Sequence, residues 1–312
     1  MKQYVFNLLS TTYRFTYYKQ KQDAKIIVFT FGTIYSSFSS PVFGFPFLIS
    51  EGFDHVHVAQ GFKKQYQELS LEEFAAIAKP LCEGKKAYTY GSSLGGYAAI
   101  YFASAIQACA IASSPTLPAH PSAKRFPSDK ISIKHLPIEE FRSGSRGYIF
   151  FDPYDAEDVS FLTNFIANAC PDLVKIPLQF SGHQALKILV EAGLLKDIIK
   201  KIIIDQPDSV SINNVNLQDT SVYLEESALH HEKNGRHQQA IDVGLQCLAK
   251  KQRLRAFNAV IRCALKMGQV ELAVQLHGEA LLKYPSERLM RLPALAYQPD
   301  GPVCEHPERT NK

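Results

Sequence analysis

No stretch of about 18 uncharged apolar residues occurs, so no membrane-spanning helix is expected. There is no block of lysine and arginine and no zinc-knuckle spacing, and the net charge is only +4. That balance gives no reason to expect a nucleic acid partner. Cysteine is sparse: Cys82, Cys109, Cys170, Cys247, Cys263 and Cys304 are scattered with no Cys-x-x-Cys pair. They read as small core residues, neither a disulfide framework nor a metal site. Residues 1–23 lack a basic start followed by a continuous apolar stretch, so they are not read as a secretory signal, and the cytoplasm is the expected location. What is present is an ordinary globular composition. The chain is 46% apolar and 21% charged over 312 residues, enough for one large domain or two modest ones.

One stretch organises the chain: Tyr88-Thr89-Tyr90-Gly91-Ser92-Ser93-Leu94-Gly95-Gly96-Tyr97-Ala98-Ala99. An aromatic lead-in is followed by Gly-x-Ser-x-Gly and then by a small-residue helical run. This is the pattern of a nucleophile elbow, in which a strand turns sharply into a helix with a serine at the apex. Gly91 and Gly95 flank Ser93 because a side chain there would collide with the neighbouring strand or helix. Gly96, Ala98 and Ala99 let the helix lie close to the sheet. The Leu94 amide would sit beside the Ser93 hydroxyl at a helix N-terminus, where negative charge is favoured.

Around this stretch, strand-like and helix-like runs alternate. Tyr4–Leu9 and Tyr13–Tyr18 are β-prone and aromatic. Lys25–Phe31 is a near-continuous apolar run, as in a strand buried on both faces, and it ends at Gly32-Thr33. Residues 36–49 read as a loop whose Phe38, Phe43, Phe45 and Phe47 could line an apolar pocket. Phe53–Val58 is the next strand. Leu71–Leu81 is an amphipathic helix, with Ser70 and Glu73 placed for a capping box. Lys86–Tyr90 feeds the elbow, Leu94–Ile106 is the helix after it, and Ala108–Ala112 is a further strand. Residues 113–147 interrupt the alternation with prolines at 115, 118, 121, 127 and 137. They read as a cap-like insertion over the strand ends, with an excess of basic residues. Tyr148–Phe151 resumes the sheet, Phe161–Ala169 is a helix, Leu173–Phe180 is a strand with Pro177 implying an edge or bend, and helical segments run to about Ile204. The alternation predicts α/β architecture: a mostly parallel sheet flanked by helices, with the site at the carboxyl ends of the strands.

A serine hydroxyl needs a base, and the base needs a group that fixes its tautomer. The order nucleophile, acid, histidine is the one expected on a strand-turn-helix serine. Ser93 is therefore the candidate nucleophile and His183, in Ser181-Gly182-His183 after the last strand, the candidate base. His55 and His57 alternate along an earlier strand, and His120 and His135 lie in the insertion. The acid is sought in Asp152-Pro153-Tyr154-Asp155-Ala156-Glu157-Asp158. Asp155 is placed first, a few residues beyond the strand; Asp158 second, as it equally suits a helix cap; and Asp152 third. The oxyanion hole is assigned to the Leu94 amide and an amide near Gly32 or Thr33. No metal or organic cofactor is expected.

These residues resemble the α/β-hydrolase superfamily over roughly residues 25–204. The elbow and the Ser181-Gly182-His183 loop carry the likeness. The acidic loop is similar to that of small bacterial members that accompany surface-polysaccharide functions. The resemblance implies an α/β-hydrolase domain over residues 1–205 and a serine hydrolase acting on a small acyl ester or thioester, or an acyltransferase. A hydrolase-fold adaptor without catalysis is the other possibility left open, since the superfamily contains such members.

From residue 221 the pattern is helical only, after a polar linker over residues 206–220. Gly235-Arg236-His237-Gln238-Gln239-Ala240 recurs 33 residues later as Gly268-Gln269-Val270-Glu271-Leu272-Ala273. Cys247 and Ala280 follow the same interval, and Tyr284-Pro285 closes the second copy. Residues 221–292 are thus similar to tetratricopeptide repeats, a small all-α domain expected to bind a protein partner or to self-associate. Residues 293–312 read as a tail.

Overall fold

The computed structural model describes residues 2–4, 12–20, 24–123, 131–136, 146–204 and 216–285. The chain divides into two units, Met1–Val222 and Tyr223–Lys312.

In the first unit the apolar runs become one eight-stranded sheet. Its strands are β1 (Lys2–Tyr4), β2 (Tyr13–Lys19), β3 (Ile26–Phe31), β4 (Asp54–Gln60), β5 (Lys86–Ser92), β6 (Cys109–Ser113), β7 (Gly147–Phe151) and β8 (Leu173–Pro177), in the order β1-β2-β4-β3-β5-β6-β7-β8. The pairings from β4 through β3 to β8 are all parallel, and β2 is antiparallel to both of its neighbours. Pro177 ends β8, the edge strand, where a missing amide leaves no ladder position empty. The helices of this unit are α1 (Phe45–Ser50), α2 (Leu71–Leu81), α3 (Leu94–Ala103), α4 (Ala156–Phe161), α5 (Ala167–Ala169), α6 (Leu186–Glu191) and α7 (Leu195–Ile203). A π turn over Leu162–Ile166 joins α4 to α5.

Alternation along β3 sends Phe29 and Phe31 to one face, where they meet Phe74 of α2 and Phe102 of α3 at ring separations of 5.6 Å. Phe74 and Phe102 touch each other at 4.7 Å. The opposite face carries Tyr18, His55 and Tyr90, which meet Phe45 of α1 and the neighbouring Phe43. α2 begins at the capping box foreseen for it. Glu73 N–H donates to Ser70 Oγ at 3.1 Å and Ser70 N–H to Glu73 Oε2 at 2.9 Å. Such a cap stabilises a helix by about 1 kcal/mol. A mostly parallel sheet, helices on both faces and a strand-turn-helix serine together constitute the α/β-hydrolase fold.

Two local expectations change. Residues 36–49 are not loop throughout, because Gly44 at φ 71° and Pro46 start α1 at Phe45. The helix expected at Phe161 begins at Ala156, because Asp155 caps it. β1 spans Lys2–Tyr4, and most of the Tyr4–Leu9 run lies outside the described residues. Of the insertion, residues 124–130 and 137–145 also lie outside them. Its Lys134 is described and forms an ion pair with Glu68.

The second unit contains most of α8 (Ser221–Lys233), then α9 (His237–Lys250), α10 (Leu254–Lys266) and α11 (Val270–Lys283). Its core joins Ala240, Ile241, Phe257, Val260, Ala273 and Leu276. Gly235 and Gly268 hold equivalent left-handed turns at φ 72° and 73°. Residues 286–312 lie outside the described residues.

Candidate active site

β5 ends at Ser92 and α3 starts at Leu94, so Ser93 alone makes the turn, at φ 57° and ψ −121°. That region costs a side-chain-bearing residue about 1–3 kcal/mol and persists only if its surroundings over-determine it. They do. Ser93 N–H donates to Ser113 O at 2.8 Å, and Ser93 O accepts from Thr116 N–H and Tyr97 N–H at 3.2 and 3.1 Å. A Cβ on Gly91 would lie 2.1 Å from Gly95 O, and one on Gly95 would lie 2.4 Å from Phe31 O. The two glycines are therefore steric requirements of the elbow.

His183 Nε2 lies 2.9 Å from Ser93 Oγ, and His183 Nδ1 lies 2.7 Å from Asp158 Oδ1. A carboxylate only accepts, so Nδ1 carries the hydrogen and Nε2 presents its lone pair to the serine hydroxyl. Asp158 and Ser93 are buried and His183 is half-buried.

The structure brings Ser93, His183 and Asp158 together and leaves the first-placed acid, Asp155, elsewhere. Asp155 is the N-cap of α4, where its Oδ1 accepts the Asp158 amide at 3.2 Å. Asp158 stands three residues further on, in the first turn, and its carboxylate reaches His183. The Asp-x-x-Asp spacing held the signal, since an N-cap side chain is taken up by the third helical amide. Asp152 does a third job. Its Oδ2 accepts Gly182 N–H at 2.7 Å, and its Oδ1 accepts Tyr154 N–H at 2.9 Å and Phe180 N–H at 3.2 Å. It thereby anchors the loop that carries His183. Burial raises its pKa above the usual carboxylate range, against the three amides that favour the charged form.

Gly32 does not present an oxyanion donor, because its amide donates to the buried Tyr66 hydroxyl at 2.7 Å. The Thr33 amide donates to Ser36 Oγ at 2.9 Å. Leu94 is the first residue of α3, so its amide is among those with no partner within the helix. Thr33, Ser93 and His183 line one cavity of about 370 Å³. Most of the remaining wall is apolar: Ile34, Phe43, Tyr90, Leu186, Val190 and Leu195. Of the four phenylalanines that could line a pocket, Phe43 does so. Phe45 packs on Tyr18, Phe47 is buried and Phe38 lies under the Arg14 guanidinium.

The other histidines of this unit have different partners. His55 Nε2 and His57 Nδ1 lie 2.7 and 3.0 Å from Thr30 Oγ1, and burial lowers their pKa values to about 3 and about 4. His120 lies against Phe161 and Phe165. Burial pushes the Cys82 and Cys109 thiols up to about 11, far from a reactive thiolate. Among the described residues, no group of three His, Cys, Asp or Glu side chains could hold a metal ion, and no helix is long and apolar enough to cross a membrane. Tyr66, which no sequence motif marks, and His135 are buried and take partners from several segments.

No family model matches the chain, and no curated protein does. Solved structures that resemble it are α/β hydrolases and esterases. Alpha/beta hydrolase domain-containing protein 10 from mouse is 16% identical with a TM-score of 0.44, over 68% of this chain and 100% of that one. An esterase of Pyrococcus furiosus is 15% identical with a TM-score of 0.45, over 62% of this chain and 86% of that one. A dienelactone hydrolase of Anabaena variabilis is 14% identical with a TM-score of 0.40, over 65% and 95%.

Proposed function

We propose that the chain is a serine hydrolase that forms an acyl-enzyme on Ser93 from an ester or thioester. The observation that carries this reading is the pair of hydrogen bonds from Ser93 Oγ to His183 Nε2 and from His183 Nδ1 to Asp158, at a strained apex facing a cavity. Ser93 Oγ attacks the carbonyl carbon as its proton passes to His183 Nε2. Asp158 accepts from His183 Nδ1 and stabilises the imidazolium. The tetrahedral oxyanion takes the Leu94 amide and, in place of the Ser36 hydroxyl, the Thr33 amide. Each such donor contributes about 10²–10³ in kcat. Collapse expels the alcohol or thiol, which takes the proton from His183. Water then repeats the sequence and releases the acid.

The test is labelling with a fluorophosphonate of the wild type, Ser93→Ala and His183→Ala. Labelling of the wild type alone is expected. A folded wild type that takes no label, or a Ser93→Ala variant that does, sinks the reading. The apolar wall favours an apolar acyl group. Along a series of p-nitrophenyl esters from acetyl upward, kcat/KM should rise until the cavity is filled, by up to about fourfold per methylene, or 0.8 kcal/mol. A flat series would remove the acyl assignment.

A second reading concerns the helical unit. The matched turns at Gly235 and Gly268 support two repeats of one helical hairpin, the kind of surface that binds a protein segment. A capture that needs residues 221–285 and tolerates Ser93→Ala would favour an adaptor role. Capture by a chain lacking those residues would exclude it.

A further inference from the structure

The turn between β4 and α2 holds three left-handed residues that are not glycine: Lys63 (φ 59°), Gln65 (φ 50°) and Tyr66 (φ 60°). Side-chain-bearing residues adopt this conformation rarely, and only where the surroundings impose it. Here three consecutive buried side chains reach in different directions. Gln65 Oε1 accepts the Ala119 amide at 2.7 Å. Gln67 Oε1 accepts the amides of Lys134 and His135 at 3.0 and 3.2 Å. Both contacts fall in the segment between β6 and β7. Tyr66, between the two glutamines, accepts the Gly32 amide at 2.7 Å, and its own hydroxyl hydrogen has the Gly32 and Val58 carbonyls at 3.2 and 3.3 Å.

His135 closes the network. Its Nε2 lies 2.8 Å from Tyr66 O and 3.0 Å from Leu69 O. Both are acceptors only, so Nε2 carries the hydrogen and Nδ1 accepts. Nδ1 takes the Tyr97 hydroxyl at 3.0 Å, and the ring stacks on Tyr101 at 4.1 Å. Tyr97 and Tyr101 belong to α3, the helix of the elbow. Complete burial keeps the Tyr66 phenol neutral by pushing its pKa up, and burial lowers that of His135 to about 4. The donors and acceptors of the network therefore hold their roles near neutral pH.

One of the two segments joined by this turn contacts Ser93, and the other borders its turn and its cavity. The chain after β6 makes its contact through Thr116 N–H on Ser93 O. The chain after β3 borders the site through Gly32, whose carbonyl faces Gly95, and through Thr33 in the cavity wall. Because Tyr66 takes the Gly32 amide and also faces the Gly32 carbonyl, the peptides on both sides of Gly32, including the one that carries the Thr33 amide, are held. Thr33 becomes the first residue of that loop able to face a substrate.

We propose that Tyr66 is a positioning residue of the Ser93 site, and that the Gln65–Tyr66–Gln67 turn, latched by His135, ties the segment after β6 to the loop that presents the Thr33 amide. This rests on Ser93 being the nucleophile. It adds a device by which the placement of the insertion is passed to the oxyanion side of the site.

The experiment pairs ester kinetics with amide hydrogen exchange on the full chain carrying Tyr66→Phe or His135→Phe. Tyr66→Phe removes one oxygen. It should lower kcat about 10- to 100-fold, the effect of misplacing a reacting group slightly, with KM within about twofold. Exchange at Gly32 and Thr33 should speed up. His135→Phe keeps the ring stack and loses the hydrogen bonds. It should speed exchange at residues 134–135 and also at residues 32–33. Wild-type kcat and exchange in Tyr66→Phe would overturn the positioning role. Faster exchange confined to residues 134–135 in His135→Phe would overturn the tie. If the wild type itself takes no fluorophosphonate, the enzyme reading fails separately, and unchanged protection at residues 32–33 in both variants would overturn the tie by itself.

Discussion

Among the described residues, seven in the sheet-bearing unit other than glycine adopt a positive φ, whereas in the helical unit those with positive φ are Gly235 and Gly268. Three of the seven adjoin the Ser93–His183 pair. They are Ser93 itself, Ser114 after β6, and Phe180 in the loop that Asp152 anchors. Three more form the turn around Tyr66. The helical unit instead meets its one special backbone requirement with the residue that has no side chain to strain. Its helices are joined by pairs such as Arg253–Glu225 at 3.1 Å and Arg262–Glu232, 28 and 30 residues apart. One unit holds several segments in costly conformations through long-range contacts. The other repeats a cheap local solution. Strain of this kind is retained where chemistry needs a side chain held in an otherwise unfavourable place.

The comparison is broken most severely at Ser93. Ser93→Gly removes the hydroxyl that faces His183 and relieves the backbone at the same residue. Turnover should fall by about 10⁴–10⁶-fold, while stability rises by about 1 kcal/mol. A less stable variant in chemical denaturation would mean that the apex is not strained. Next come the two aspartates of α4. Asp158→Asn should cost about 10³–10⁴ in kcat by spoiling the histidine tautomer. Asp155→Ala should lose about 1 kcal/mol of stability with near-wild-type kcat. The opposite pattern in ester kinetics and melting would return the acid to Asp155.

Glycine substitutions compare the units directly. At Gly91 an added methyl meets backbone that no side-chain rotation can clear, so Gly91→Ala should cost about 3 kcal/mol or prevent folding. At Gly235 nothing lies within 4 Å of the added carbon. Only the left-handed conformation is charged for, about 1–2 kcal/mol. Equal losses in urea titrations would erase the distinction.

The gentlest probe is acid. His55, His57 and His135 have folded pKa values lowered by burial to about 3, 4 and 4. The unfolded chain takes up their protons near pH 6.5, so their stabilising effect is intact above that pH. It is lost as pH falls from about 6.5 towards 4, by at most about 1.4 kcal/mol per histidine per pH unit. In the helical unit His230 and His231 are lowered in the same direction but are far less buried. Thermal melts followed between pH 7.5 and 4.5 should show the sheet-bearing unit weakening first. Simultaneous loss of both would remove the contrast.

Much of this was legible in the chain. Lys25 to Phe31 read as a strand buried on both faces, Ser70 and Glu73 marked the start of a helix, and Gly91 and Gly95 marked a turn too tight for side chains. Sequence periodicity did not settle where α4 begins, because the capping aspartate and the aspartate that meets His183 are the same residue type three positions apart. It also hid α1, which is short and starts at an unusual glycine. The Tyr66 turn gave no signal, since its partners lie 34 and 69 residues away.

The sequence by itself determined the alternation of strands and helices, the elbow around Ser93 and the repeated glycine turns, because each is marked by residue type or spacing along the chain. Tertiary structure decided which aspartate meets His183 and which amide the buried Tyr66 hydroxyl takes up. Those outcomes depend on hydrogen-bond competition between segments far apart in the chain. A donor already satisfied by Tyr66 cannot be told from a free one until the fold brings the two together.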